Sequence, residues 1–149
     1  MSSTIEPVFV DTSVLVYARD TQNVEKHRQA GEWMRFLWQT RRGRLSAQVL
    51  NEYFVTVTRK LSQSLTDVEA RDEVRELMAW APEPVDHDLM ERAWVAASSW
   101  PLSHWDALIV AAAQRAGCTY LLTEDLQTGQ RFGELQILSP FSSSPPARF

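Results

Sequence analysis

Four carboxylates in this 149-residue chain, Asp11, Glu52, Asp106 and Asp125, carry its clearest chemical potential. Asp106 heads ALIVAAA, a run apolar all round, as in a helix buried on most sides. A carboxylate is costly in such a place. Each acid also has an ordinary structural use. Asp11 suits a cap of the short turn after it, and Ser103 with Asp106 has the spacing of a capping box. Glu52 suits an exposed helix face, and Glu124 and Asp125 suit a turn. Taken together they suggest more. Two carboxylates about 5 Å apart repel by roughly 3 kcal/mol at an effective dielectric near 20. Three or four do not all stay ionised at neutral pH without compensation, which a divalent cation supplies. Oxygen-only ligands favour Mg²⁺ or Mn²⁺ over zinc. His27, His87 and His104 show no ligand spacing and read as surface or packing residues. Such a site suits hydrolysis of a phosphodiester, with an acid not committed to the metal orienting water. Ser13 and Thr123 lie beside the acids and can hydrogen-bond an acid or a metal-bound water, or form turns.

The elements must bring these side chains together. Val8 to Val10 reads as a short buried strand ending at Asp11, and VEKHRQAGEWMRFLWQTR as an amphipathic helix closed by Gly43. RLSA reads as a second strand. QVLNEYFVTVTRKL reads as a helix despite its β-branched stretch. Thr66 and Glu69 form a capping box for a helix running to Trp80. EPVD is a candidate third strand, DLMERAWVAASSW a helix, and Ser103 to Gly117 another. CTYLLTED is a strong strand and LQILS a weaker last one. Alternating strands and helices predict a parallel sheet covered by helices on both faces. In such sheets chemistry collects beyond the carboxyl ends of the strands. Asp11 and Asp125 follow strands, and Glu52 and Asp106 each lie near the first turn of a helix, so all four are expected at one edge.

Length, composition and charge bound the rest. The chain suits one domain, residues 1–138, with a Pro- and Ser-rich tail, 139–149, expected to be disordered. No apolar run reaches the roughly 18 residues of a membrane span. MSSTIEP lacks the basic and apolar regions of a signal peptide. Cys118 is the single cysteine, which excludes an internal disulfide and a Cys-rich zinc site. A cytoplasmic protein is expected. The net charge of −4 gives no global nucleic-acid footprint. The clusters Arg41, Arg42, Arg44 and Arg59, Lys60 read as solvated surface. Trp33 and Trp38 suit a helix face, in the core or at a partner surface.

Three stretches, VFVDTSVLVYA, LSAQVLNEYF and WDALIVAAAQRAGCTYLLTEDLQTGQ, occur in the order seen in PIN-domain ribonucleases, and the chain resembles the VapC-type toxins of toxin–antitoxin pairs. The resemblance implies a Rossmann-like three-layer α/β/α sandwich around a central parallel sheet. It implies acids at Asp11, Glu52, Asp106 and Asp125, with a hydroxyl at Ser13. Asp125 is preferred to Glu124 because the family tends toward Thr-x-Asp at this strand end. It further implies Mg²⁺- or Mn²⁺-dependent endoribonuclease activity on RNA, a homodimer, and a small antitoxin whose C-terminal segment covers the cleft.

Other readings fit less well. A haloacid-dehalogenase-like, Mg-dependent phosphatase needs a second acid where Ser13 stands, and a late lysine, whereas the last lysine is Lys60. A phospho-receiver domain lacks the same lysine. Five glycines form no phosphate-binding loop. An inactive PIN-like RNA- or protein-binding module is the non-enzymatic alternative, disfavoured by the presence of all four acids.

Overall fold

The computed structural model describes residues 6–146. Five strands form one sheet: β1 (Val8–Val10), β2 (Gly43–Arg44), β3 (Tyr120–Leu122), β4 (Arg131–Phe132) and β5 (Leu135–Leu138). Their order is β2-β1-β3-β5-β4, parallel throughout except that β4 runs antiparallel to β5. The helices are α1 (Thr12–Arg19), α2 (Val24–Thr40), α3 (Ala47–Arg59), α4 (Asp67–Leu77), α5 (His87–Ser99) and α6 (His104–Arg115). A 3-10 turn, Met78–Trp80, follows α4. This is an α/β fold with a mostly parallel central sheet flanked by helices.

The packing follows from where the apolar residues fall. Phe9, Val10, Leu121, Leu122 and Ile137 are buried in the three central strands, as expected of strands covered on both faces. The helices pair as α1 with α2 and α3, α3 with α4, and α5 with α6, and α6 also lies on β3 and β5. All seven residues from Ala107 to Ala113 are buried, so the apolar run in α6 is a core helix.

Four expectations change. First, α1 begins directly after β1, where no helix was foreseen. Only a turn was expected after Asp11, but Asp11 caps a helix there by accepting the Thr12 amide at 2.8 Å. Second, Gly43 does not close α2. Arg41 does so, at φ 58°, with its N–H on the Leu37 carbonyl. Gly43 instead lies in β2 under the Trp80 ring, where a Cβ would come within 2.4 Å of the indole. Third, EPVD makes only a single bridge, Ser46 to Glu83. Pro82 and Pro84 have no N–H to extend a ladder on either side.

Fourth, the segment from 139 is not free where it is described. Pro140 is buried. Phe141 meets the Tyr17 ring edge-on with centroids 5.3 Å apart. The Trp33 indole N–H donates to the Ser143 carbonyl at 2.8 Å, and Gln29 donates to the Phe141 carbonyl at 3.2 Å. The last three residues of the expected tail, 147–149, lie outside the described residues.

Candidate active site

The sheet register sets the first two residues side by side. Val10 pairs with Leu122 across β1 and β3, so Asp11 and Thr123 both stand one residue beyond the carboxyl ends of adjacent parallel strands. The Asp11 amide donates to the Leu122 carbonyl at 3.1 Å. The Thr123 hydroxyl donates to Asp11 Oδ2 at 2.7 Å and accepts the Asp125 amide at 3.0 Å. One buried hydroxyl thus holds the Asp11 carboxylate and folds the loop after β3 back toward it. Burial pushes the Asp11 carboxyl up to about 7, against the pull of the Thr123 and Thr12 hydrogen bonds. The negative charge of Asp125 pushes in the same direction as burial.

The neighbouring Glu124 has a different partner. It pairs with Lys26 of α2 at 2.8 Å, and that ammonium also lies over the Tyr17 and Phe141 rings at 4.9 and 5.0 Å. Of the two adjacent acids, Asp125 therefore bears on Asp11 and Glu124 is engaged with a cation.

The other two acids arrive on helices, Glu52 in the second turn of α3 and Asp106 in the first turn of α6. Ser46 caps α3, and Glu52 on that helix accepts a 2.7 Å hydrogen bond from the Thr12 hydroxyl. Glu52 is thus one residue's hydroxyl away from Asp11. Gln48, one turn earlier, extends its amide toward Glu52 Oε2 and toward the Trp105 carbonyl, each at 3.4 Å. Trp105 precedes Asp106, so the chain Asp11, Thr12, Glu52, Gln48, Trp105 links β1 to α3 and to the start of α6.

Asp106 itself is only half of a capping box. Its amide donates to Ser103 Oγ at 3.1 Å, but no reciprocal bond runs from its carboxylate to the Ser103 amide. The true box in this chain is Thr66 with Glu69. Asp106 is partly buried, and its carboxylate has no hydrogen bond among the described residues. Helix capping therefore accounts for Ser103 but not for the acid.

Two further oxygens are buried without a partner, Ser13 Oγ in the first turn of α1 and Gln48 Oε1 in the first turn of α3. Orphaned buried oxygens, together with a carboxylate burdened by burial and by a like charge, suit a hard divalent cation. The spacing is looser than a finished centre. Among the described residues no three His, Cys, Asp or Glu side chains are close enough to ligate one ion.

Thr12, Gln48 and Lys26 were not singled out from the sequence. Only Thr12 had a local signal, its place between Asp11 and Ser13. The histidines serve elsewhere: His27 contacts the Tyr17 carbonyl, His87 pairs with Glu91 and His104 packs on Trp105. Cys118 is buried, and that burial pushes its thiol up to about 12, which leaves no thiolate for nucleophilic chemistry.

Comparison with known proteins places the fold. A model of the PIN domain matches residues 8–131. No curated protein sequence matches the chain. Among solved structures, that of FitAB bound to the IR36 DNA fragment covers 90% of this chain and 95% of its own, at TM-score 0.69 and 18% identity. VapC20 from Mycobacterium tuberculosis, a sarcin–ricin loop cleaving toxin, aligns over 76% of this chain and 86% of its own, at TM-score 0.55 and 21% identity. A toxin–antitoxin complex from Klebsiella pneumoniae aligns over 89% and 97%, at TM-score 0.56 and 17% identity. At these identities the structural likeness is one of fold. The family match spans most of the chain and includes every element that carries Asp11, Glu52, Asp106 and Asp125, so the chain belongs to the PIN-domain family.

Proposed function

We propose that this protein is a metal-dependent endoribonuclease that hydrolyses RNA phosphodiester bonds in the cytoplasm, as the toxin of a toxin–antitoxin pair. The observation that carries the reading is the buried Asp11 at the end of β1, held by Thr123, raised by burial and faced by a second acid, Asp125. The fold likeness to a toxin that cleaves the sarcin–ricin loop and to a toxin–antitoxin complex supports the biological role.

Asp11, Asp106, Glu52 and Asp125 are the residues that would hold Mg²⁺ or Mn²⁺, with Ser13 and Thr123 in support. If bound among them, such an ion would supply positive charge toward the scissile phosphate and lower the pKa of a water. The protein's own share is orientation. Thr123 fixes one oxygen of Asp11, Thr12 fixes one oxygen of Glu52 and is itself anchored at the start of α1. Asp106, with no hydrogen bond to its carboxylate among the described residues, is the acid best free to accept a proton from attacking water. A homodimer and a small antitoxin that covers the cleft complete the proposal.

The looser spacing of the acids favours a second reading, a PIN-domain module that binds RNA or protein without cutting. One experiment separates the two. Purified protein is expected to cleave single-stranded or loop RNA with Mg²⁺ or Mn²⁺, and EDTA is expected to stop it. Cleavage that persists in EDTA overturns the metal's role, and binding without cleavage at any metal concentration selects the module.

A further inference from the structure

A groove of about 470 Å³ runs past Glu52, lined by Thr12, Asn51, Glu52, Val55, Thr56 and Lys60. It contains two members of the candidate site, Thr12 and Glu52, joined by their hydrogen bond. Glu52, Thr56 and Lys60 are spaced i, i+4, i+8, so they form one ridge of α3 and its C-cap. At 1.5 Å per residue the ridge carries Lys60 about 12 Å from Glu52. The groove therefore has an acidic end at the site and a basic end away from it.

Lys60 also differs from seven of the chain's other cations. Arg19, Lys26, Arg28, Arg71, Arg75, Arg92 and Arg115 are each paired with a carboxylate. Lys60 is exposed and has no ion pair among the described residues. It is also the one cation in the lining of this groove. Between the two ends lie neutral side chains: Asn51, Thr56 and the half-exposed Val55. No aromatic ring lines the groove, so it has no platform on which a base could stack.

We infer that this groove is a backbone track for single-stranded RNA, in which Lys60 holds a phosphate beyond the scissile one. The inference rests on the nuclease reading. The charge gradient gives the track a register. A phosphate is repelled at the Glu52 end except where a counter-charge receives it, and is attracted at the Lys60 end. Recognition here is of phosphate and sugar, independent of base identity. A peptide is the other extended chain that such a groove would take, but the sharing of Thr12 and Glu52 with the candidate site favours the substrate.

The test uses the full chain and a short, labelled, mixed-sequence single-stranded RNA. Binding is followed by fluorescence anisotropy on Asp11→Asn protein, with and without Lys60→Ala, over a range of salt. Lys60→Ala is expected to lower the slope of log affinity against log salt by about 0.7, the share of one single-strand phosphate contact. In otherwise unaltered protein it should raise KM several-fold, retain kcat, and act equally on RNAs of different sequence. Lys60→Arg should restore the slope. Arg35→Ala, which removes an exposed cation elsewhere on α2, should leave it unchanged. An unchanged slope and KM in Lys60→Ala overturns the track, as does a fall in kcat alone. Cleavage by Asp11→Asn protein would instead overturn the catalytic assignment, with the track still judged on its salt slope.

Discussion

Asp11 has two roles that pull in opposite directions. Its Oδ1 caps α1 and its Oδ2 takes the Thr123 hydroxyl, yet its charge is disfavoured by burial and by Asp125. A carboxylate kept only as a cap would be better served by a neutral Asn, which caps equally well. Asp11→Asn is therefore expected to abolish cleavage while leaving the Tm of metal-free protein unchanged or higher, as read by thermal melting at neutral pH. A fall of several degrees would assign Asp11 to structure instead. Asp106→Asn gives a parallel test. Its cap contribution runs through the backbone amide, so the substitution should cost less than about 0.5 kcal/mol while removing activity. Unfolding of that variant would return Asp106 to a capping role. At this scale the residue types were legible: an acid at the end of an apolar strand and another at the head of an apolar helix. The hydroxyl and amide links through Thr12 and Gln48 were not, because they join residues about 40 and 57 positions apart.

Among the elements, the long helices were readable from periodicity and caps, since those signals are local. The Thr66 and Glu69 box and the Ser103 cap stand where their spacing placed them. The α1 helix was hidden by its β-branched residues, whose strand preference yields to the cap at Asp11 and to packing against α2 and α3. The Pro- and Ser-rich segment is described over residues 139–146. Its composition predicts disorder, but one buried proline and one aromatic ring dock it on α1 and α2. Phe141 closes a cage with Tyr17 around Lys26, and Lys26 in turn holds Glu124 in the loop after β3. Phe141→Ala should cost about 1–2 kcal/mol in lost ring and cation contacts, a fall in Tm of about 3–6 °C. It should also increase hydrogen exchange in the loop at 123–126. A variant that melts like the unaltered protein would show that this segment adds nothing to stability.

For the whole molecule, charge and membrane arguments set bounds rather than a function. No helix among the described residues is long and apolar enough to cross a membrane. The net charge of −4 offers no general pull on nucleic acid, so the proposed nuclease role requires a local site for RNA. Trp94 and Trp105 remain largely exposed, an unusual place for large aromatic side chains. Under the proposed toxin role, co-expression with the product of an adjacent small gene should yield a complex that survives size-exclusion chromatography and suppresses cleavage. Protein that stays alone and fully active beside that product would count against the toxin–antitoxin role.

By itself the sequence determined the class of fold, the helices with strong caps and the strands around Asp11 and Thr123, because periodicity and capping are carried by neighbours in the chain. The tertiary structure decided which acids face one another. The parallel register of β1 and β3 sets Asp11 beside Thr123 and brings Asp125 to bear on it, while Lys26 draws Glu124 away. Those pairings depend on distances between segments up to about a hundred residues apart, and only the folded sheet and its packed helices specify them.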